Sequence, residues 1–67
     1  MQLSQNMELI QNTSDELFLG FLQYLRPYQF EDWEYKLCMR MIEERVQKMG
    51  YTFEFGCCGR NTIRRIQ

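Results

Sequence analysis

Histidine is absent from the 67 residues of this chain, and with it the side chain that most readily moves a proton near neutral pH. The nucleophile-elbow, phosphate-loop, dinucleotide and paired-histidine zinc spacings are missing as well. These gaps argue against an enzyme, and neither a catalytic residue nor a cofactor is expected. Cysteine is scarce and odd in number, with Cys38, Cys57 and Cys58. An odd count with two adjacent members makes a poor disulfide framework, so a reducing cytoplasm is the expected setting. Structural zinc takes four Cys or His ligands and one chain offers three, so no metal is expected unless two chains share a site. No apolar run approaches the roughly 18 residues that point to a membrane span, and MQLSQNMELI has neither the basic start nor the apolar core of a secretory leader. No membrane association is expected.

What the chain does have is a long amphipathic stretch, Asp32 to Gly50. At about 100° per residue, Leu37, Cys38, Met41, Ile42, Val46 and Met49 share one side, while Lys36, Arg40, Glu43, Glu44 and Gln47 share the other. Glu31, Asp32 and Glu34 suit the positive end of a helix dipole and Lys48 the negative end; the three acids lack the spacing of a calcium loop. Gly50 is the natural residue for a left-handed stop. A helix over 31–49 is predicted.

A second helix is predicted over 13–26. Thr13 and Glu16 have capping-box spacing, and Leu17, Phe18, Leu19, Phe21, Leu22, Tyr24 and Leu25 follow. That is more apolar surface than one facing helix covers, so a partner groove or dimer seam is expected on it. Gly20 either admits another backbone closely or is merely tolerated. Pro27 ends this helix or begins the next. The short connection makes the two helices an antiparallel hairpin, with Phe30 and Trp33 closing its looped end over Leu25 and Leu37.

Beyond Gly50 the period falls to two. Tyr51, Phe53 and Phe55 alternate with Thr52 and Glu54, as in a half-buried strand. Gly56, Cys57, Cys58 and Gly59 form a turn, and 60–66 can return as a second strand. The expected fold is therefore α+β: a helical hairpin (13–26 and 31–49), then a strand at 51–55 and a possible partner at 60–66. An all-α hairpin with an irregular tail is the alternative. Residues 1–12 read as a loosely ordered segment or a short helix carrying Leu3, Met7 and Ile10, ahead of a single small domain at 13–67.

Function follows from surfaces. A chain this short buries only about 60% of its unfolded surface, so extra burial is expected, with a homodimer favoured over disulfides or metal. Charge is uneven: residues 1–35 hold six acids against Arg26, while 36–67 hold seven bases against three acids. Such asymmetry guides a subunit to a copy of itself or to a charged partner, or neutralises within one fold. The predicted role is a small interaction module or inhibitor that regulates a partner protein, binding through Phe18, Phe21, Leu22, Leu25, Trp33, Tyr51 and Phe53. The alternative is a nucleic-acid accessory protein using Arg60, Arg64 and Arg65 beside the strand aromatics. A thiol-redox role for Cys57 and Cys58 beside Arg60 is weaker, for want of C-x-x-C spacing. In outline, the Ser14-Asp15-Glu16-Leu17 opening and the Met41-Ile42-Glu43-Glu44-Arg45 ending resemble the small helical-hairpin inhibitors of sporulation histidine kinases. The resemblance implies action by contact and assigns no residues; the longer connection and the added strand depart from it.

Overall fold

A computed structural model describes residues 3–66. The fold is α+β: α1 (Gln5–Asn12), α2 (Asp15–Tyr24), a 3-10 turn (Pro27–Gln29), α3 (Tyr35–Lys48), then β1 (Tyr51–Glu54) and β2 (Thr62–Arg65). The strands pair antiparallel in the register Tyr51↔Arg65, Thr52↔Arg64, Phe53↔Ile63 and Glu54↔Thr62. The second strand thus forms, and the all-α alternative does not hold.

Residues 5–12 form a full helix because both ends are satisfied. Ser4 accepts from the Met7 N–H at 3.1 Å, and Thr13 Oγ1 donates back to the Leu9 carbonyl at 2.6 Å. Met7 and Ile10, three apart, point to one side and are buried. The N-cap of α2 lies one residue later than the capping-box spacing suggests. Ser14 accepts from the Leu17 N–H at 3.3 Å, since Thr13 is already occupied in closing α1. At its far end, α3 stops as expected: Gly50 takes φ +88°, a conformation that other residues enter only with strain. Its start differs. Residues 32–34 are a turn and Glu34 is the N-cap of α3, so Glu31 and Asp32 lie outside the first helical turn.

The core contains Met7 and Ile10 from α1, Phe18 and Leu22 from α2, Leu25 and Phe30 from the connection, and Cys38, Ile42 and Val46 from α3. Tyr51, Phe53, Phe55 and Ile63 line the sheet's inner face against it. The closest backbone neighbours of α3 are α1 and β1. Its apolar face is therefore shared with an additional short helix, which the two-helix hairpin did not include. The stripe is also narrower than its sequence suggests: Cys38, Ile42 and Val46 recur every four residues and are buried, whereas Leu37 is exposed. Phe30 closes the looped end as expected, edge-on to Tyr35 with ring centres 6.2 Å apart. Trp33 does not; it faces outward.

Gly20 resolves as tolerance. A Cβ built there meets nothing within 4 Å, so no backbone approaches it closely. Gly20→Ala should raise stability by about 1 kcal/mol through helix propensity, visible as a higher urea midpoint at unchanged slope.

Candidate functional site

Three polar clusters hold the elements in place, and each is formed across a long stretch of sequence. At the first, the Glu34 carboxylate accepts from Ser4 Oγ at 2.6 Å, Asn6 Nδ2 at 3.0 Å and the Glu31 N–H at 2.8 Å. The Ser4 hydroxyl and then the Glu31 N–H pull its pKa below the usual carboxylate range, and outweigh the opposing effect of burial. It lies at a shallow depression shared with Gln29, Glu31 and Trp33. An acid so held stays ionised at neutral pH and has no proton to donate. Beside it, burial and the Glu34 charge push the Cys38 thiol up to about 11, which leaves it a packed, unreactive side chain.

At the second cluster, Arg45 of α3 closes the C-terminal end of α1. Its guanidinium donates to the carbonyls of Ile10 at 2.7 Å and Thr13 at 2.6 Å, and meets Asp15 at 3.0 Å. It also lies over the Phe18 ring, 4.2 Å from the centroid. The third cluster joins the hairpin to the end of α2. Asn61 Nδ2 donates to the carbonyls of Leu22 at 2.7 Å and Leu25 at 2.8 Å. Its Oδ1 accepts from the Gly56 N–H at 2.9 Å and from Arg26, whose other nitrogen reaches the Gly56 carbonyl at 2.8 Å. All three clusters orient backbone; the Arg45 cluster borders a surface pocket lined also by Gln11, Met41, Glu44 and Lys48. Among the described residues no three metal-ligating side chains converge, Glu31, Asp32 and Glu34 included, and no helix is long and apolar enough to cross a membrane.

The structure divides the residues expected to bind a partner. Phe18, Leu22 and Leu25 are fully buried and are core rather than contact surface. They join the common core with residues of α1 and α3, while Leu17 and Tyr24 keep part of the apolar excess of α2 at the surface. Phe21, Tyr51 and Phe53 are half-buried against that core. Trp33 alone of the set stands clear, at 67% exposure. Arg60, Arg64 and Arg65 are exposed but form no stripe. Arg64 and Arg65 are neighbours on β2, and consecutive strand side chains point to opposite faces.

Other exposed apolar groups lie outside the partner-binding residues read from the sequence, although Leu17 and Tyr24 belong to the apolar surplus of 13–26. Tyr28 is 84% exposed and shares a shallow groove with Pro27, Phe30, Asp32, Tyr35 and Lys36. On α2, Leu17 and Tyr24 are exposed, seven residues apart and so on one face. Helical phase was the available signal: Leu17 lies about 100° around the helix from Phe18, and Phe18, Leu22 and Leu25 already make a complete buried stripe.

The vicinal cysteines sit at the tip of the hairpin. Both are exposed, with sulfurs 3.0 Å apart. The hydrogen bond shared with Cys57 pushes the Cys58 thiol up. Gly56 is required beside them, because a Cβ there would lie 2.0 Å from the Arg60 carbonyl oxygen. No protein-family model, curated protein or solved structure matches the chain.

Proposed function

We propose that this protein is a non-enzymatic contact module that regulates a partner protein by binding it. The surface used is the aromatic end, with Tyr28 and Tyr35 around one depression and Trp33 at another. The supporting observation is the exposure of Trp33 and Tyr28, at 67% and 84%, the most exposed aromatic side chains among the described residues. Tryptophan and tyrosine are the residues that most often carry binding energy at interfaces. Glu31 borders Trp33, and Asp32 and Lys36 border Tyr28 and Tyr35, so the complementary surface is an apolar pocket whose rim carries a basic group toward Glu31 and charges of both signs toward Asp32 and Lys36. Tyr51 and Phe53, half-buried against the core, are not part of this surface. Three free thiols suit a reducing cytoplasm.

The test uses the full chain with Trp33→Ala and Tyr28→Ala. Both sites are exposed, so circular dichroism and melting should be unchanged. A partner captured from the native host is purified and titrated against each variant. Each substitution should weaken binding by about 2 kcal/mol, roughly 30-fold in Kd. Unchanged affinity in folded variants removes this surface from the reading. Sedimentation of the isolated chain distinguishes the other occupant: a concentration-dependent dimer abolished by Trp33→Ala would make that partner a second copy. A shift of labelled nucleic acid that weakens steeply with salt and is lost in an Arg60, Arg64 and Arg65 alanine variant would replace protein binding altogether.

A further inference from the structure

We propose that Cys57 and Cys58 form a reversible dithiol–disulfide site, oxidised by low-molecular-weight disulfides of the glutathione class. The two sulfurs lie 3.0 Å apart on an exposed loop. That separation discriminates between uses of a thiol pair. Two thiolates on one tetrahedral zinc ion, with Zn–S near 2.3 Å, stand about 3.8 Å apart, whereas a disulfide needs about 2.05 Å. The pair is already closer than a zinc ion would hold it, and about 1 Å of approach completes the bond.

The loop around the pair is fixed at its base and free at its tip. Gly56 is held on both sides, its N–H by Asn61 and its carbonyl by Arg26, and Gly59 takes φ +93°. Cys57 and Cys58 lie between these points and, among the described residues, their thiols hydrogen-bond only to each other. Closing a ring through consecutive residues therefore alters the tip and leaves the core contacts intact. The third thiol, Cys38, is buried and takes no part.

The chemistry balances as two exchanges. The thiolate of one cysteine attacks a sulfur of the small disulfide, that S–S bond breaks, and one small thiolate leaves. The neighbouring cysteine, deprotonated, attacks the mixed disulfide. The Sγ–Sγ bond forms and the second small thiolate leaves. Two electrons have passed from the cysteine sulfurs to the reagent, and two protons reach the leaving thiolates through water. Adjacent Cα atoms are about 3.8 Å apart, short of the usual disulfide range of about 4.4–6.8 Å. Such a strained, exposed bond is readily reduced again, which suits a signal rather than a structural staple.

The experiment equilibrates the full-length protein with oxidised glutathione, quenches it with acid and reads intact mass and peptide linkage. The expected product is a monomer about 2 Da lighter, linked 57 to 58, with Cys38 still a thiol, and excess reduced glutathione restores the starting mass. Cys57→Ser and Cys58→Ser should each stop at one glutathionyl adduct, since the resolving thiol is gone. Wild type that stops at the same adducts, or that links between chains, overturns the proposal.

Discussion

Asn61→Ala should lower stability by about 3–4 kcal/mol, the largest loss expected from a single exposed-loop neighbour in this chain. Four side-chain hydrogen bonds vanish: two donated to the Leu22 and Leu25 carbonyls and two accepted from Gly56 and Arg26. Each buried group left without a partner costs about 1–3 kcal/mol. The sum is held below the arithmetic total because water reaches part of the site once the side chain is removed. A protein of this length has roughly 3–10 kcal/mol in all, so the loss takes a large share of it. About 4–8 °C per kcal/mol at this size makes the melting temperature fall by roughly 15–25 °C. Asn61→Asp separates the two halves of the role. An aspartate still accepts from Arg26 and Gly56, but it turns a carboxylate oxygen toward two carbonyls that need a donor. It should rescue little of the loss. Full rescue by aspartate would mean that the Arg26 side of the cluster, not the capping of α2, carries the energy.

The parts of this structure that were legible in sequence are those governed by neighbours. Gly50 ended α3 because the left-handed conformation is a local requirement. Tyr51, Phe53 and Phe55 alternated because a strand has a buried and an exposed face. The α+β fold followed from these. What escaped was long-range. Glu34 meets Ser4 across 30 positions, Arg45 meets Ile10 across 35, and Asn61 meets Leu22 across 39. No periodicity marks such pairs, so Glu34 passed for helix-dipole decoration and Asn61 for one more residue of the possible strand at 60–66. The same gap misplaced the contact surface. Phe18, Leu22 and Leu25 looked surplus while only one helix and a strand were counted against them. Once Arg45 fastens α1 to α3 and Asn61 fastens the hairpin to α2, those three are enclosed. Trp33 and Tyr28 then remain outside.

Glu34→Gln should cost about 2–3 kcal/mol at pH 7 and should flatten the acid limb of the stability curve. The carboxylate faces four donors, the Ser4 hydroxyl, the Asn6 amide, the Glu31 N–H and, more weakly, the Cys38 thiol. Glutamine matches its shape but turns an NH2 group toward at least one of them. The pH dependence has a definite sign. Folding lowers the Glu34 pKa, so the unfolded chain binds the proton more tightly. Its stabilisation is complete above the unfolded value of about 4.3 and is lost as pH falls through the lower, folded value. Wild type and Glu34→Gln should therefore differ most near neutrality and converge in acid. The eight other acids are common to both proteins, so the difference between their urea-derived stabilities, measured from pH 7 to pH 3, isolates this group. Parallel curves would show that the carboxylate is not the pin between α1 and α3. The same substitution has a local readout. Ser4 caps α1 and Asn6 lies in its first turn, so the amides of α1 should exchange faster in the variant than those of α3. Trp33, the sole tryptophan, borders the same depression, and its fluorescence should follow the release of α1. The Glu34 carboxylate thereby sets the geometry of the aromatic end through which the protein is proposed to bind.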